Sequence, residues 1–154
     1  MARAKYQVLV IPYIRQSGKL LYCILKRSDM DDVWQFIAGG GEEEDGSVLI
    51  SAMRETREET GISAEDKIFQ LQTVCSISTE HFKQARLVWG EDCLVIPEYA
   101  FAVEVSDMEI GLSDEHAEYR WVDYQTAKNM LKYDSNKTAL WELDNKLRYD
   151  GSMP

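Results

Sequence analysis

Residues 39–62 read GGGEEEDGSVLISAMRETREETGI, and the change of texture inside this stretch decides the fold. It opens on Gly39, Gly40 and Gly41, passes through an acidic tract at residues 42–45 and reaches Gly46. Ser47 suits a helix N-cap, because its hydroxyl accepts a hydrogen bond from an amide that the first turn leaves unpaired. From Val48 the spacing becomes helical: Val48, Leu49, Ala52, Met53, Thr56 and Thr60 fall on one side at about 100° per residue. Gly61 suits a left-handed C-cap, so a helix is expected over residues 47–60. A short apolar strand, residues 33–37, runs into the glycines, so the stretch reads strand, glycine turn, acidic helix.

Outward from there, residues 5–14 and 20–26 are β-rich and flank the turn Gln16-Ser17-Gly18-Lys19, which predicts a hairpin. Residues 67–78 and 94–105 are β-rich with a polar connection between them, and residues 120–122 form the last expected strand. Residues 124–132 and 137–149 carry helical patterns, the second with Leu140, Trp141, Leu143 and Leu147. No repeat or linker interrupts the chain, so one mixed α/β domain over residues 1–154 is the economical reading.

Composition narrows the function classes. Apolar types make up 45% of the 154 residues and charged types 29%, enough to bury a core. No apolar run approaches the roughly 20 residues that cross a bilayer, and no signal-peptide pattern follows the N-terminus, so a cytoplasmic location is expected. With 17 basic against 27 acidic residues the net charge is −10, and no basic cluster stands out. A nucleic-acid or anionic-membrane partner is therefore disfavoured, whereas a small phosphorylated ligand remains open if a metal ion carries the positive charge. Cys23, Cys75 and Cys93 are odd in number with no C-x-x-C spacing, which points to reduced thiols.

The helix is the informative part. Glu55, Glu58 and Glu59 stand at i, i+3 and i+4, within an arc of about 100°. They sit near the negative end of the helix, where like charges repel and anions are disfavoured by a few tenths of a kcal/mol each. A solvated helix laced with Arg54–Glu58 pairs is the plain reading of such a run. A divalent cation reverses the electrostatics, and magnesium takes oxygen ligands from one or two carboxylates together with substrate phosphates. Gly39 and Gly40, just upstream, allow close approach of backbone to a ligand.

At these residues the chain resembles the Nudix hydrolase family, whose box is G-x5-E-x7-R-E-U-x-E-E-x-G-U, with U a bulky aliphatic. Gly40 takes the first glycine, Arg54 and Glu55 match R-E, Glu58 and Glu59 match E-E, and Gly61 and Ile62 match the end. The stretches DDVWQFIAGGGEEEDG and SDEHAEYRWVDYQTA are similar to segments of bacterial members that cleave dihydroneopterin triphosphate or dATP, the second also to diadenosine tetraphosphate hydrolases. The resemblance implies an α/β/α sandwich with a mixed, curved sheet. It implies a pyrophosphohydrolase in which water attacks a phosphoanhydride bond of a nucleoside or pterin triphosphate with Mg2+, or Mn2+, as cofactor. Diadenosine tetraphosphate hydrolysis is the alternative within the family. By the same resemblance Glu55, Glu58, Glu59 and the Gly39 carbonyl are metal ligands, Glu55 or Glu58 acts in catalysis, and Arg54 orients Glu55.

Two positions depart from the box. Thr56 replaces the first aliphatic, and Gly46 stands where the family has the glutamate that supports the metal cluster and pairs with the arginine. A catalytically weak nucleotide-binding domain is thus the second class of reading, and Gly46→Glu is expected to raise the rate or tighten metal binding if the missing carboxylate limits catalysis; an unchanged rate means that another residue already fills the role. Glu115, in the polar loop Ser113-Asp114-Glu115-His116, is a further catalytic candidate that resembles loop carboxylates of some relatives; an exposed acid is its plain reading. Arg27 ends a strand beside the glycines and suits a phosphate, and with Trp34 and Gly40 it makes the expected substrate-binding set. Phe36 and Tyr99 are further aromatic candidates, although core packing is the commoner fate of such rings. His116 and His81 have less support. Oligomeric state is not legible.

Overall fold

The computed structural model describes residues 2–65 and 67–149. Strands β1 (Arg3–Gln16) and β2 (Lys19–Arg27) form the expected hairpin, with Gln16 opposite Lys19. Ser17 and Gly18 both have positive φ, 53° and 76°, the two-residue turn whose twist matches that of the flanking strands. Then come β3 (Trp34–Gln35), β4 (Ile37–Glu42), a 3-10 turn (Glu43–Asp45) and α1 (Val48–Thr60). After α1 follow β5 (Ile68–Ser78), a second 3-10 turn (Thr79–His81), α2 (Lys83–Trp89), β6 (Val95–Glu104), β7 (His116–Val122), α3 (Tyr124–Met130) and α4 (Asp134–Tyr149).

The seven strands make one mixed sheet. β1 runs parallel to β6 along one edge, from Gln7 opposite Glu98 to Tyr13 opposite Glu104. Its other edge is shared: the first part pairs with β4 and the last residues pair with β2, both antiparallel. β5 closes the sheet beyond β6, and β7 lies along β2. Alternation along β1 sorts its side chains onto two faces, as a sheet buried on both sides requires. Leu9, Ile11 and Tyr13 pack with Ala127 of α3 and with Ala139, Leu140, Leu143 and Leu147 of α4. Val8 and Val10 pack with Ala52 of α1, Phe101 and Val103. The result is a helix–sheet–helix sandwich, as expected.

Three details differ from the sequence reading. The glycines are not a turn; they lie in β4, with Gly39 opposite Val8 and Gly40 opposite Gln7. The last strand begins at His116 rather than Arg120, because the polar segment pairs with β2 from Arg27 onward. The connection before β6 contains α2, whose Leu87 and Val88 are exposed. Among the described residues no helix is long and apolar enough to cross a membrane. Cys23, Cys75 and Cys93 are free, and burial pushes the Cys23 thiol up to about 12.

Candidate active site

The acidic helix is built as its sequence predicts. Ser47 caps it, accepting from the Ile50 amide at 3.1 Å, and Gly61 ends it at φ 75°. Its buried stripe, however, is Ser51, Ala52, Glu55, Thr56, Glu59 and Thr60, while Leu49 is 41% exposed. Two of the three glutamates thus face inward. Thr56 is accommodated without an aliphatic: its hydroxyl donates to the Ala52 carbonyl at 2.7 Å, one turn back.

Arg54 organises the cleft side of α1. Its Nη2 donates to the Gly40 carbonyl at 2.9 Å and to Asp45 Oδ2 at 3.0 Å, and its Nε donates to Asp45 Oδ1 at 3.2 Å. Its Nη1 donates to Glu55 Oε1 at 3.0 Å and Glu58 Oε2 at 3.3 Å. The box register has no carboxylate at Gly46, yet the arginine has its partner one residue earlier. Gly46 makes this possible: at φ 83° it terminates the 3-10 turn and turns the chain so that Asp45 faces α1. Asp45 also accepts from Ser51 Oγ at 2.6 Å and the Glu42 amide at 3.1 Å. Gly46→Glu would therefore not supply a missing partner for Arg54. The side chain would be strained there, and Arg54 is already paired.

Glu55 lies against β4. A Cβ on Gly39 would strike its carboxylate, which explains glycine at that position in physical terms. Burial pushes the Glu55 carboxyl up to about 7; Arg54 opposes the shift, while Glu58 and Glu59 reinforce it. Glu59 turns the other way, with Oε2 3.0 Å from His116 Nδ1 and accepting from Ser113 Oγ at 2.9 Å. Those partners outweigh its burial and hold its carboxyl below the usual range. Glu58 is half exposed.

As they stand, no three Asp, Glu, His or Cys side chains among the described residues are gathered closely enough to hold an ion. The donor chemistry nevertheless fits a hard divalent cation. Glu55 is buried, and burial outweighs the help its carboxylate receives from Arg54; its neighbours are oxygen donors, the ligands that magnesium and manganese take.

Around these residues runs an open cleft of about 660 Å3, lined among others by Gly39, Gly40, Glu55, Arg27, Glu115 and Arg3. Gly40 and Arg27 are therefore where the sequence suggested, although the Arg27 guanidinium is held by both oxygens of Asp29 at 2.7 Å. Glu115 is exposed at the rim with its carboxyl against Glu59; burial and that neighbour raise its pKa. Its loop is fastened to the end of β2, Ser28 N donating to the Glu115 carbonyl at 3.0 Å. Trp34 does not reach the cleft, which corrects the expectation that it stacks on substrate. As the first residue of β3 it pairs opposite Lys26, is 3% exposed, packs in the core and lies under the Arg120 guanidinium. Phe36 is also fully buried, and Tyr99 meets Tyr6 edge-on at 6.1 Å.

Of the two acids just before Gly46, Glu44 and Asp45, it is Asp45 that leans in to Arg54. Another cleft residue was not anticipated from sequence. Arg3 enters the cleft from β1, its guanidinium 4.5 Å above the Phe82 ring and its Nε buried without a hydrogen-bond partner among the described residues. Nothing local in the sequence marks it, since the cleft is assembled from strands distant in the chain.

The whole chain points to the same class. Residues 4–141 match the model of the NUDIX domain. A dihydroneopterin triphosphate diphosphatase of Haemophilus influenzae is 29% identical over 134 residues, covering 86% of this chain and 83% of that protein. A NUDIX hydrolase from Listeria monocytogenes superposes with a TM-score of 0.84 at 38% identity, covering 98% of this chain and 99% of that one. The Escherichia coli dihydroneopterin triphosphate pyrophosphohydrolase superposes with a TM-score of 0.74 at 24% identity, covering 94% and 99%. With a family model spanning most of its length, and the box helix, glycine strand and arginine assembled around one cleft, the chain is a member of the Nudix family, a hydrolase acting on phosphoanhydride bonds.

Proposed function

We propose that this chain is a divalent-metal-dependent pyrophosphohydrolase of a nucleoside or pterin triphosphate, releasing pyrophosphate. One observation carries the reading: the cleft beside Glu55 and the glycine strand continues into a second lobe of about 520 Å3. Gln7, Arg27, Ala38, Phe82 and Glu115 line both. A charged chain in the first lobe and a flat heterocycle in the second make one substrate. The triphosphatase relatives support the same class.

Glu55, Glu58, Glu59 and the Gly39 carbonyl would hold the ion, Mg2+ or Mn2+, which supplies charge neutralisation on the phosphate oxygens. The chain's own residues do the rest. Arg54 fixes Glu55 against β4, and Arg3 offers its unpaired Nε to a phosphate oxygen. Water attacks phosphorus, the P–O bond to the departing pyrophosphate breaks, and the water proton passes to a carboxylate, Glu55, Glu58 or Glu115. Asp45 supplies the ion pair with Arg54 that Gly46 does not, which supports the catalytic reading over a binding-only domain. The test is pyrophosphate release from a panel of nucleoside triphosphates, dihydroneopterin triphosphate and diadenosine tetraphosphate, with and without Mg2+. Metal-dependent release from a triphosphate is expected; turnover of the dinucleotide alone would shift the reading to the alternative within the family.

A further inference from the structure

The second lobe has a feature that phosphate chemistry does not use. Glu98, on β6, is 4% exposed, yet it is one of the residues that line the lobe. It stands directly across from Gln7 of β1, whose Nε2 donates to Glu98 Oε2 at 2.7 Å. Ser135, at the start of α4, bonds to it as well. Both partners are neutral, so the carboxylate has hydrogen bonds but no counter-charge among the described residues. Burial accordingly raises its pKa.

Arg27, His81 and His116 line the same lobe, but none is an ion-pair partner of Glu98, and a buried carboxylate with neutral partners alone is costly for the empty protein. A planar ligand edge with two adjacent N–H donors offsets that cost, because two parallel N–H···O bonds fit one carboxylate. A ring nitrogen lone pair beside an amino group does not, since it faces a carboxylate oxygen with repulsion. Pterins and guanine share the first edge, a ring N–H beside a 2-amino group. Adenine and cytosine present the second.

Resting on the triphosphate reading above, we propose that Glu98, held by Gln7, is the specificity residue of the heterocycle lobe. It accepts the paired N–H donors of a 2-amino-4-oxo-pyrimidine ring and selects pterin or guanine triphosphates over adenine and cytosine triphosphates. Phe82 and Tyr133 supply aromatic surface on the lobe's walls.

The test compares kcat/KM for dGTP, dITP and dATP in the wild-type enzyme with Mg2+, and then in Glu98→Gln. dITP differs from dGTP only by the missing 2-amino group. A lost bond to a charged group corresponds to about 10- to 100-fold in binding, so wild type should favour dGTP over dITP by that factor. In Glu98→Gln the ratio should fall toward one, because the amide keeps a single acceptor. Equal use of dGTP and dITP by wild type, a preference for dATP, or an unchanged ratio in the variant would each overturn the assignment. The wild-type comparison does not depend on the variant folding. Release of pyrophosphate from none of the triphosphates would fail the pyrophosphohydrolase reading instead. Calorimetric binding of dGMP against dIMP then reads the lobe by itself: tighter dGMP supports Glu98 recognition, and equal binding rejects it.

Discussion

Arg3 shows how much a single side chain can reveal about a ligand. Burial lowers its pKa, its guanidinium covers the Phe82 face, and its Nε has no hydrogen-bond partner among the described residues. A buried donor of that kind is costly unless something anionic arrives. Arg3→Gln should therefore raise KM for the best triphosphate by about 10- to 100-fold, with a smaller change in kcat, if the bond is made equally in ground and transition states. Steady-state kinetics decides, and an unchanged KM would return Arg3 to a packing role. The α1 carboxylates belong to the opposite category. Glu58→Gln and Glu59→Gln should each lower activity about 10²-fold or more, with weaker metal dependence; undiminished hydrolysis in both would remove them from the metal site. Glu115→Gln should lower kcat more than it raises KM, at nearly unchanged thermal stability, because its exposed side chain contributes little to packing.

At the scale of elements, α1 and the turn before it act as a unit. Arg54 holds Asp45 far below the usual carboxylate range, at about 2. The stabilisation is complete above the unfolded value, near 4, and is lost as pH falls through about 2. Asp45→Asn should thus lower Tm by several degrees at pH 6, and the difference from wild type should shrink toward zero near pH 2. A pH-independent difference would mean that packing, not the ion pair, is what the variant loses. Gly46→Glu should destabilise by about 1 kcal/mol without raising turnover, since a side chain at positive φ is strained. The boundaries of α1 were legible because Ser47, Gly61 and the helical spacing are local signals. The glycines misled because a run of three reads as a turn; only pairing with β1 makes them a strand. α2 was missed because it is seven residues long and its Leu87 and Val88 face solvent, so no amphipathic period marks it. The Asp45–Arg54 pair was unreadable from register alone, since it depends on the left-handed turn at Gly46.

For the whole molecule, the position of α4 matters most, because its first turn carries Ser135 and Asn136 into the heterocycle lobe. It is fastened to the sheet at three separated points. Asn136 Oδ1 accepts from the Phe36 amide at 2.8 Å, beside β3. Glu142 accepts from the Gln72 amide and from both the amide and hydroxyl of Thr73 on β5, and Asp144 accepts from the Tyr22 hydroxyl at 2.6 Å on β2. The last of these is fully inside: Tyr22 is 0% exposed and Asp144 6%. Burial, with the Asp144 carboxylate next to it, raises the tyrosine pKa, so the hydroxyl stays protonated and donates. Tyr22→Phe keeps the ring and removes only that donor. Asp144 retains Arg148, whose Nε donates at 2.8 Å, so the charge is not stranded. The expected cost is then about 1.5–3 kcal/mol, the range for one hydrogen bond to a charged group. For a chain of this size that corresponds to a fall in Tm of roughly 2–4 °C per kcal/mol. Well below the melting range, kcat and KM should match wild type, because Tyr22 lines neither lobe and two other fastenings keep α4 in register. Thermal melts paired with kinetics at 25 °C check both halves. A raised KM at unchanged Tm would show that the Tyr22–Asp144 bond tunes the lobe rather than holding the fold.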